Sequence, residues 1–289
     1  NPNRSHDVSM SIWQTCRFDP QQHHTHGWLG RALDQASRPT DGAPAALLIG
    51  DQQPPIALRG RRSVAAAMHR LDEFTLGAKS VKPVPGEAVL GESADNLTAF
   101  VQRTSVDAYT TAERLSDLAD KSDPSAGYPS GELAQRLRLI SRLIKSDFGT
   151  RVYYAAQPGY DTHAGQQGTH ARLLRRLSDS VFAFLEDLRT AKLDDRVAVL
   201  CFSEFGRRVK ENASQGTDHG TAGPVFLAGR EVNAGLHADT PSLADLEDGD
   251  VQMSIDFRRV YASVLQRWLN VESAAALGGH WDPASLFRV

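Results

Sequence analysis

The chain has 289 residues, a net charge of −3 and 40% hydrophobic residues, which are ordinary values for a globular protein. We expect residues 1–289 to form a single domain, with a possible insertion in residues 1–150 and the site-bearing half in residues 151–289. The weak net charge and the scattered Lys and Arg residues argue against a nucleic-acid partner. The longest apolar runs are far shorter than the roughly 20 residues that cross a bilayer, so no membrane-spanning segment is predicted.

The start of the chain has two features of note, its first residues and a histidine triplet. The sequence begins Asn1-Pro2-Asn3 with neither a Met nor a signal peptide, so we interpret this start as a cut beginning rather than a natural terminus. The triplet His23, His24 and His26 lies in a Gln-rich polar stretch without a neighbouring carboxylate, which indicates a solvated loop rather than a metal-binding tract.

The predicted elements alternate between helices and strands. In chain order they are a helix over 6–16, strands at 45–49 and 56–58, helical regions over 93–119 and 133–144, a strand at 151–156, a long helix over 169–188, strands at 196–202 and 224–228, and a final helix over 257–268. Strand and helix alternation with short connections predicts an α/β fold with a mainly parallel sheet covered on both faces.

Candidate metal ligands collect where the predicted strands end. Asp161 and His163 follow one strand, Glu204 directly follows a second, and Asp218 and His219 lie in the loop before a third. The carboxyl ends of parallel strands meet at one edge of a sheet, and carboxylates with imidazoles are ligands that suit Zn²⁺, with Mn²⁺ next. The sequence therefore predicts a metal site at this edge.

Alternatives remain for individual residues of this set. Asp161 with His163 is also compatible with a turn Asp beside a surface His, and the second Asp-His pair is what favours joint metal binding. Glu204 is either a ligand or an acceptor that orients a ligating His. His170, at the start of the long helix, is the reserve ligand if His163 points away.

Five motifs in this order resemble domain-of-unknown-function family 1501, a bacterial group abundant in planctomycetes. They are Asn1–His6, Gly27–Arg31, Gly159–His163, Ser203–Arg207 and Gly216–Gly220, and the resemblance runs from residue 1 to about residue 270. It implies a three-layer α/β/α fold of the alkaline-phosphatase superfamily, whose first strand would precede this sequence. It also implies an exported protein, periplasmic or extracellular, behind a twin-arginine signal.

The resemblance to that superfamily implies a metal site formed by Asp161, His163 and His219. This chain has Phe205 where the superfamily places a second imidazole, so a second metal ion would need another ligand, and Asp218 is the candidate. We expect Zn²⁺ first, with Mn²⁺, Ca²⁺ or Mg²⁺ as alternatives.

The superfamily nucleophile lies at a helix N-terminus, and Ser5 is similar in placement, although it also fits a plain helix cap. Arg207 is a candidate fork donor to an anionic ester, and it is also compatible with an ordinary surface Arg. We therefore expect a metal-dependent hydrolase of phosphate or sulfate esters, acting on a small anionic ester or on a sulfated or phosphorylated polysaccharide. A non-catalytic metal-binding domain that recognises a carbohydrate or a protein is the alternative, and an intramolecular phosphate transfer would require a cap domain.

Overall fold

The computed structural model describes residues 3–19, 24–36, 43–63, 65–71, 111, 114–118, 123 and 127–288. The helices are α1 (His6–Thr15), α2 (Trp28–Leu33), α3 (Glu132–Lys145), α4 (Gln166–Thr190), α5 (Phe257–Ser263, continued by a π-helical turn at Val264–Trp268) and α6 (Ser273–Leu277). The strands are β1 (Ala46–Ile49), β2 (Ala65–Met68), β3 (Val152–Tyr154), β4 (Val199–Cys201), β5 (Gly206–Glu211), β6 (Thr217–Gly220), β7 (Phe226–Ala228), β8 (Leu246–Glu247) and β9 (Asp250–Val251). Within these ranges no helix is both long and apolar enough to cross a membrane.

A three-stranded parallel sheet in the order β2-β1-β3 lies at the centre of the hydrophobic core. Every residue of β1 is buried, and Ala46 belongs to a different apolar cluster from Leu47 and Ile49. Ala46 packs with residues of α1, α2 and α5, whereas Leu47 and Ile49 pack with residues of α3 and α4. Because side chains alternate between the two faces of a strand, helices cover both faces of β1. The predicted α/β class with a parallel sheet is confirmed.

The pairing of β4 differs from the prediction that residues 151–156, 196–202 and 224–228 belong to one sheet. β4 pairs antiparallel with β7 in a separate two-stranded sheet, and the described ladders do not join it to β3. A hairpin, rather than a crossover helix, connects β4 to β7 and returns the chain, which gives an antiparallel pair. Side-chain packing nevertheless places β4 close to β3, since Leu200 shares a cluster with Tyr154 and Val199 shares one with Tyr153.

Two further predictions need correction near α2. Residues 56–58 form a 3₁₀ turn rather than a strand, because the preceding prolines lead into a short turn that packs under α2. The strand that pairs with β1 is instead β2, whose Ala-rich sequence carries no strand signal. Of the predicted helical region 93–119, residues 111 and 114–118 are helical and the rest lies outside the described residues.

Glycine is required where α2 meets the turn. A Cβ added to Gly30 would lie 2.1 Å from the carbonyl oxygen of Arg59, and one added to Gly27 would lie 2.1 Å from that of Ile56. These contacts account for the two glycines of the Gly27–Arg31 motif.

We expect Gly30→Ala to lower the free energy of unfolding by about 2 kcal/mol, because the added methyl group must displace packed backbone. Gly168→Ala in α4 is the matched control, since a Cβ at Gly168 meets nothing within 4 Å. The control substitution should stabilise the helix by up to about 1 kcal/mol. Chemical denaturation of both variants measures the difference, and equal stabilities would contradict the close approach.

Asp187 joins α4 to α3 and to the segment before it. Its carboxylate accepts hydrogen bonds from Tyr128 (3.0 Å) and Ser141 (2.6 Å), and it pairs with Lys145 at 2.5 Å. Burial by itself raises the pKa of Asp187, but the bonds from Lys145, Ser141 and Tyr128 outweigh it and lower the pKa below its ordinary value. The charged carboxylate therefore stabilises the packing of these two helices.

We expect Asp187→Ala to cost about 2 kcal/mol of stability near neutral pH. Because the folded-state pKa is depressed, this contribution is present above the unfolded pKa of about 4 and is lost as the pH falls through the folded value. Urea denaturation of both proteins across that range should show the difference shrinking in acid. Glu186→Ala, which removes an exposed partner of Arg189, is the control and should change stability little. A pH-independent difference for Asp187→Ala would contradict this assignment.

Candidate metal centre

Three imidazoles surround the carboxylate of Asp161. The Nε2 atoms of His163 and His219 each lie 2.8 Å from Oδ1, and Nε2 of His6 lies 3.2 Å from Oδ2. His6, Asp161 and His219 each offer a ligand atom within 4.8 Å of the others, so together they could hold one metal ion. The predicted convergence of Asp161, His163 and His219 is present in the structure, and His6 joins it from a distant part of the sequence.

His219 is positioned by a β-hairpin, which was not predicted from the sequence. Strands β5 and β6 pair antiparallel, with His219 opposite Arg207 and Gly206 opposite Gly220. A Cβ at Gly206 would lie 1.7 Å from the carbonyl oxygen of Ala222. Glycine at this position therefore allows the chain to fold back closely beside the hairpin.

The loop that carries His163 rests directly on the hairpin turn. A Cβ at Gly216 would lie 2.3 Å from the carbonyl oxygen of His163, and the side-chain amide of Asn212 donates to the same oxygen at 3.0 Å. The backbone amide of Gly165 also donates to the carbonyl of Ser214. These contacts fix the position of His163 relative to His219.

Arg207 joins the same two segments rather than facing open solvent. Its guanidinium donates to the carbonyls of Thr217 (2.6 Å) and Tyr160 (2.5 Å), and it lies 4.9 Å from the ring of Phe205. Burial lowers the pKa of Arg207, and the nearby carboxylate of Asp161 opposes that effect. The structure thus gives Arg207 a positioning contact with the loop before Asp161, whereas the sequence suggested a contact with substrate.

The outer ring nitrogens of two imidazoles are held by acceptors. Nδ1 of His6 lies 3.0 Å from Oε1 of Glu204, and Nδ1 of His219 lies 3.0 Å from the carbonyl oxygen of Arg4. A proton on Nδ1 in each contact would leave Nε2 with its lone pair directed toward Asp161. This arrangement is common around metal-binding histidines, where an outer acceptor fixes the ring.

A buried carboxylate anchors the segment that carries Arg4. The side chain of Asp250 is 2% exposed, and its Oδ2 accepts two bonds from Arg4, at 2.8 and 3.0 Å. The backbone amide of Thr221, directly after β6, donates to the same oxygen at 3.2 Å. Asp250 therefore ties the segment before α1 to the end of the strand that carries His219.

The remaining predicted residues lie around this centre rather than in it. Glu204 orients His6, which is the second of the two roles that the sequence left open. Asp218 is 63% exposed, accepts from Asn212, and lies 3.6 Å from Nδ1 of His163. The reserve ligand His170 packs against Tyr160 instead, with ring centroids 6.0 Å apart.

Phe205 forms an apolar wall beside two of the imidazoles. Its ring stacks on His219 at a centroid distance of 4.2 Å and meets His6 edge-on at 5.2 Å. The resemblance implies an imidazole at the position that Phe205 occupies. The imidazole of His6, from α1, lies next to Phe205. Two sequence signals pointed to His6: its place at the start of a predicted helix, directly after Ser5, and its membership of the Asn1–His6 motif.

Ser5 occupies the N-cap position of α1 without forming a cap. Its backbone is extended, its side chain makes no capping bond, and its amide donates to the side chain of Asn3. Ser5, which is exposed and precedes His6 in the sequence, thus lacks the hydrogen bond expected of a plain cap.

The histidines stabilise the charged form of Asp161, and the carboxylates stabilise the charged form of His6. A hydrogen bond from His219, with further contributions from His6 and His163, lowers the pKa of Asp161 to about 2. The hydrogen bond to Glu204 is the largest cause that raises the pKa of His6, and the contact with Asp161 adds to it. An ionised Asp161 is thus maintained over the ordinary pH range.

The comparisons with known proteins identify a family. Residues 5–277 match the family described as Protein of unknown function (DUF1501). The chain belongs to this family. No curated protein and no solved structure matches it.

Glu204→Gln tests the orientation of His6. Loss of the carboxylate should lower the pKa of His6 in metal-free protein, because the largest cause that raises it is removed. An NMR titration of the imidazole resonances measures the shift. Glu247→Gln removes an exposed carboxylate of β8 and should leave the titration of His6 unchanged. An unchanged titration in Glu204→Gln would show that the two side chains do not interact in solution.

Proposed function

We propose that this protein is a metal-dependent hydrolase of phosphate or sulfate esters, with a divalent ion held by His6, Asp161 and His219 and approached by His163. The observation that carries this proposal is the convergence of three Nε2 atoms on one carboxylate. The outer nitrogens of His6 and His219 support it, because acceptors occupy both of them.

The donor set fits zinc best. Imidazole nitrogens and carboxylate oxygens bind Zn²⁺ at about 2.0–2.2 Å, so two ligands of one tetrahedral ion lie about 3.3 Å apart. Nε2 of His6 lies 3.2 Å from Oδ2 of Asp161 and Nε2 of His219 lies 2.8 Å from Oδ1, and one ligand atom from each of the three residues lies within 4.8 Å of the others. Catalytic zinc sites use three protein ligands and leave one position for water or substrate. His163 is then either a fourth ligand or a contact of the bound group. Mn²⁺, Ca²⁺ and Mg²⁺ prefer other ligand numbers and types, so the role of His163 would differ with each of them.

When bound, such an ion would polarise an ester oxygen and lower the pKa of a bound water to about 7. The chain's own contribution begins with Ser5, whose hydroxyl lies at the N-terminus of the ten-residue helix α1. Backbone amides at that end favour an anionic oxygen. The Ser5 hydroxyl could attack the phosphorus or sulfur atom, break its bond to the leaving alcohol and give a seryl phosphate or sulfate that water then hydrolyses. Alternatively, water could attack that atom directly and release the same alcohol. Glu204 keeps His6 in position in either case.

The proposal extends to the alkaline-phosphatase superfamily and its three-layer fold. Two observations support it: helices cover both faces of β1, and the site residues follow β3 and β4 in the order that the resemblance implies. The small anionic esters and the sulfated or phosphorylated polysaccharides expected as substrates belong to the same proposal.

One observation favours the alternative of a non-catalytic binding domain. The guanidinium of Arg207 is engaged by two backbone carbonyls, so the cation expected to clamp an anionic ester is already occupied. On this alternative the metal ion stabilises the junction between the hairpin and α1, and the exposed surface around Asp161 recognises a carbohydrate or a protein.

Two histidine variants test hydrolysis. His219→Ala should reduce turnover of an aryl phosphate or aryl sulfate by about 100-fold or more. Loss of a residue that only orients a metal ligand already lowers metal affinity or activity by about 10–100-fold, and His219 is itself a proposed ligand. His170→Ala is the matched control, because this nearby histidine of α4 lies outside the centre, and its turnover should remain unchanged. The assay uses the full chain with added Zn²⁺ or Mn²⁺. Equal losses in the two variants, or no turnover above a metal-only blank, would contradict the proposal.

Ser5→Ala then distinguishes the two routes of attack. A covalent nucleophile would be essential, so this substitution should abolish turnover and the burst of aryl product. Direct attack by water would leave both nearly intact. Because Ser5 makes no capping bond, the melting temperature should not change in either case, which separates chemistry from folding.

A further inference from the structure

A second polar cleft lies beyond the far end of α1. It encloses about 560 Å³ and is lined chiefly by side chains from the segment after α1, from α2 and from the turn that follows residue 60: Arg17, His24, His26, Arg31, Asp34 and Arg61. His6 begins α1 and Arg17 follows its end, so the ten residues of the helix separate this cleft from the metal centre by about 15 Å. Neither the family match nor the proposed hydrolysis assigns a role to it.

The cleft carries more positive than negative charge. Arg17, Arg31 and Arg61 line it against one carboxylate, that of Asp34. Both oxygens of Asp34 accept backbone amides, from residues 61, 62 and 63 at 2.6–2.9 Å, so this carboxylate orders the turn. Within the described part of the chain, none of the three guanidinium groups forms an ion pair with a carboxylate.

The contacts of Arg31 show a structural role, whereas those of Arg17 and Arg61 among the described residues do not. Its guanidinium donates to the carbonyls of Ala276, His26 and Thr15 at 2.6–2.7 Å, which fixes α2 against α1 and α6. Among the described residues, the guanidinium of Arg17 donates one hydrogen bond, of 3.3 Å, to the carbonyl of Gly278. The exposed side chain of Arg61 has no hydrogen-bond partner among the residues that the structure describes. Two cations are therefore available to a ligand, beside a third that is fixed.

A ring nitrogen adds a further donor position. Nε2 of His24 is shielded from solvent and has no hydrogen-bond partner among the described residues. Burial lowers the pKa of His24, and the positive charges of Arg17 and Arg31 lower it further. Arg17 and Arg31 thus place positive charge next to His24, as expected of a site that accepts an anion.

We propose that this cleft binds the phosphate or sulfate group of a small organic ester, with Arg17 and Arg61 contacting the oxyanion beside the fixed charge of Arg31. Guanidinium groups bind such oxyanions through paired, charge-assisted hydrogen bonds. A volume of about 560 Å³ lies in the range of small-molecule sites and leaves room for a group of sugar size beyond the oxyanion. The polar side chains of Thr25 and Gln35 line the same cleft and suit hydroxyl groups of that size.

Calorimetric titration of the full chain with glucose 6-phosphate, glucose 6-sulfate, inorganic phosphate and unmodified glucose tests this site. The two esters should bind and glucose should not. Arg17→Gln and Arg61→Gln should each weaken ester binding about tenfold, the effect of losing one charge-assisted contact. Arg175→Gln is charge-matched, removes an exposed arginine of α4, and should leave the affinity unchanged. His219→Ala should also leave it unchanged, which separates this cleft from the metal centre.

Inorganic phosphate distinguishes the source of the oxyanion. Weaker binding than the esters supports an organic ligand, and equal binding supports the oxyanion site with the free ion as its ligand. The proposal is overturned by an absence of binding heat for all the anions. It is also overturned if both arginine variants retain the original affinity, or if Arg175→Gln weakens binding equally. Melting temperatures of the variants confirm that each protein remains folded.

Discussion

The carboxylate of Asp161 is the group on which the arrangement of the metal centre depends. Three segments that are far apart in the sequence, at His6, His163 and His219, each direct an Nε2 atom toward it. An imidazole can face a carboxylate at these distances by donating a proton, or it can share a cation with it. Protons and a metal ion therefore compete for the same atoms, and metal affinity should fall as the imidazoles become protonated.

Most other features around the centre keep these segments together. Close backbone approach at Gly206 and Gly216 brings the hairpin against its neighbours, and Arg207 joins its two strands to the loop before Asp161. The buried carboxylate of Asp250 holds Arg4 beside the end of β6. These contacts lie outside the centre itself, yet they determine the distances within it. Four residues of the motifs, Arg4, Gly206, Arg207 and Gly216, thus serve to position others.

The sequence predicted part of the centre because of a general property of parallel sheets. Asp161 and His163 follow β3, a strand of the parallel sheet that was recognisable from its apolar residues, and working side chains collect at such strand ends. Glu204 follows β4, which was recognisable in the same way but pairs antiparallel with β7. The hairpin that carries His219 was not recognisable, since the residues of β5 are mostly charged and only partly buried. Without a period of two in hydrophobicity, nothing in the sequence marks these residues as a strand.

His6 could not be predicted for a different reason. Its role depends on where the N-terminus of α1 lies in space, and this is fixed by long-range contacts such as the one between Arg4 and Asp250. The resemblance also indicated that an imidazole is replaced by Phe205. In the structure, the imidazole next to Phe205 belongs to His6, which lies 199 residues earlier in the chain. The antiparallel pairing of β4 with β7 likewise depends on the unrecognised hairpin between them.

The metal content of the protein tests the central claim most directly. The protein is stripped of metal with a chelator and dialysed against Zn²⁺, and its zinc and protein contents are then measured on the same sample. The account predicts about one zinc or more per chain, with most of it lost in His6→Ala, because His6 completes the group with Asp161 and His219. Zinc-free wild-type protein, or a His6→Ala variant that retains as much zinc as the wild type, would contradict it.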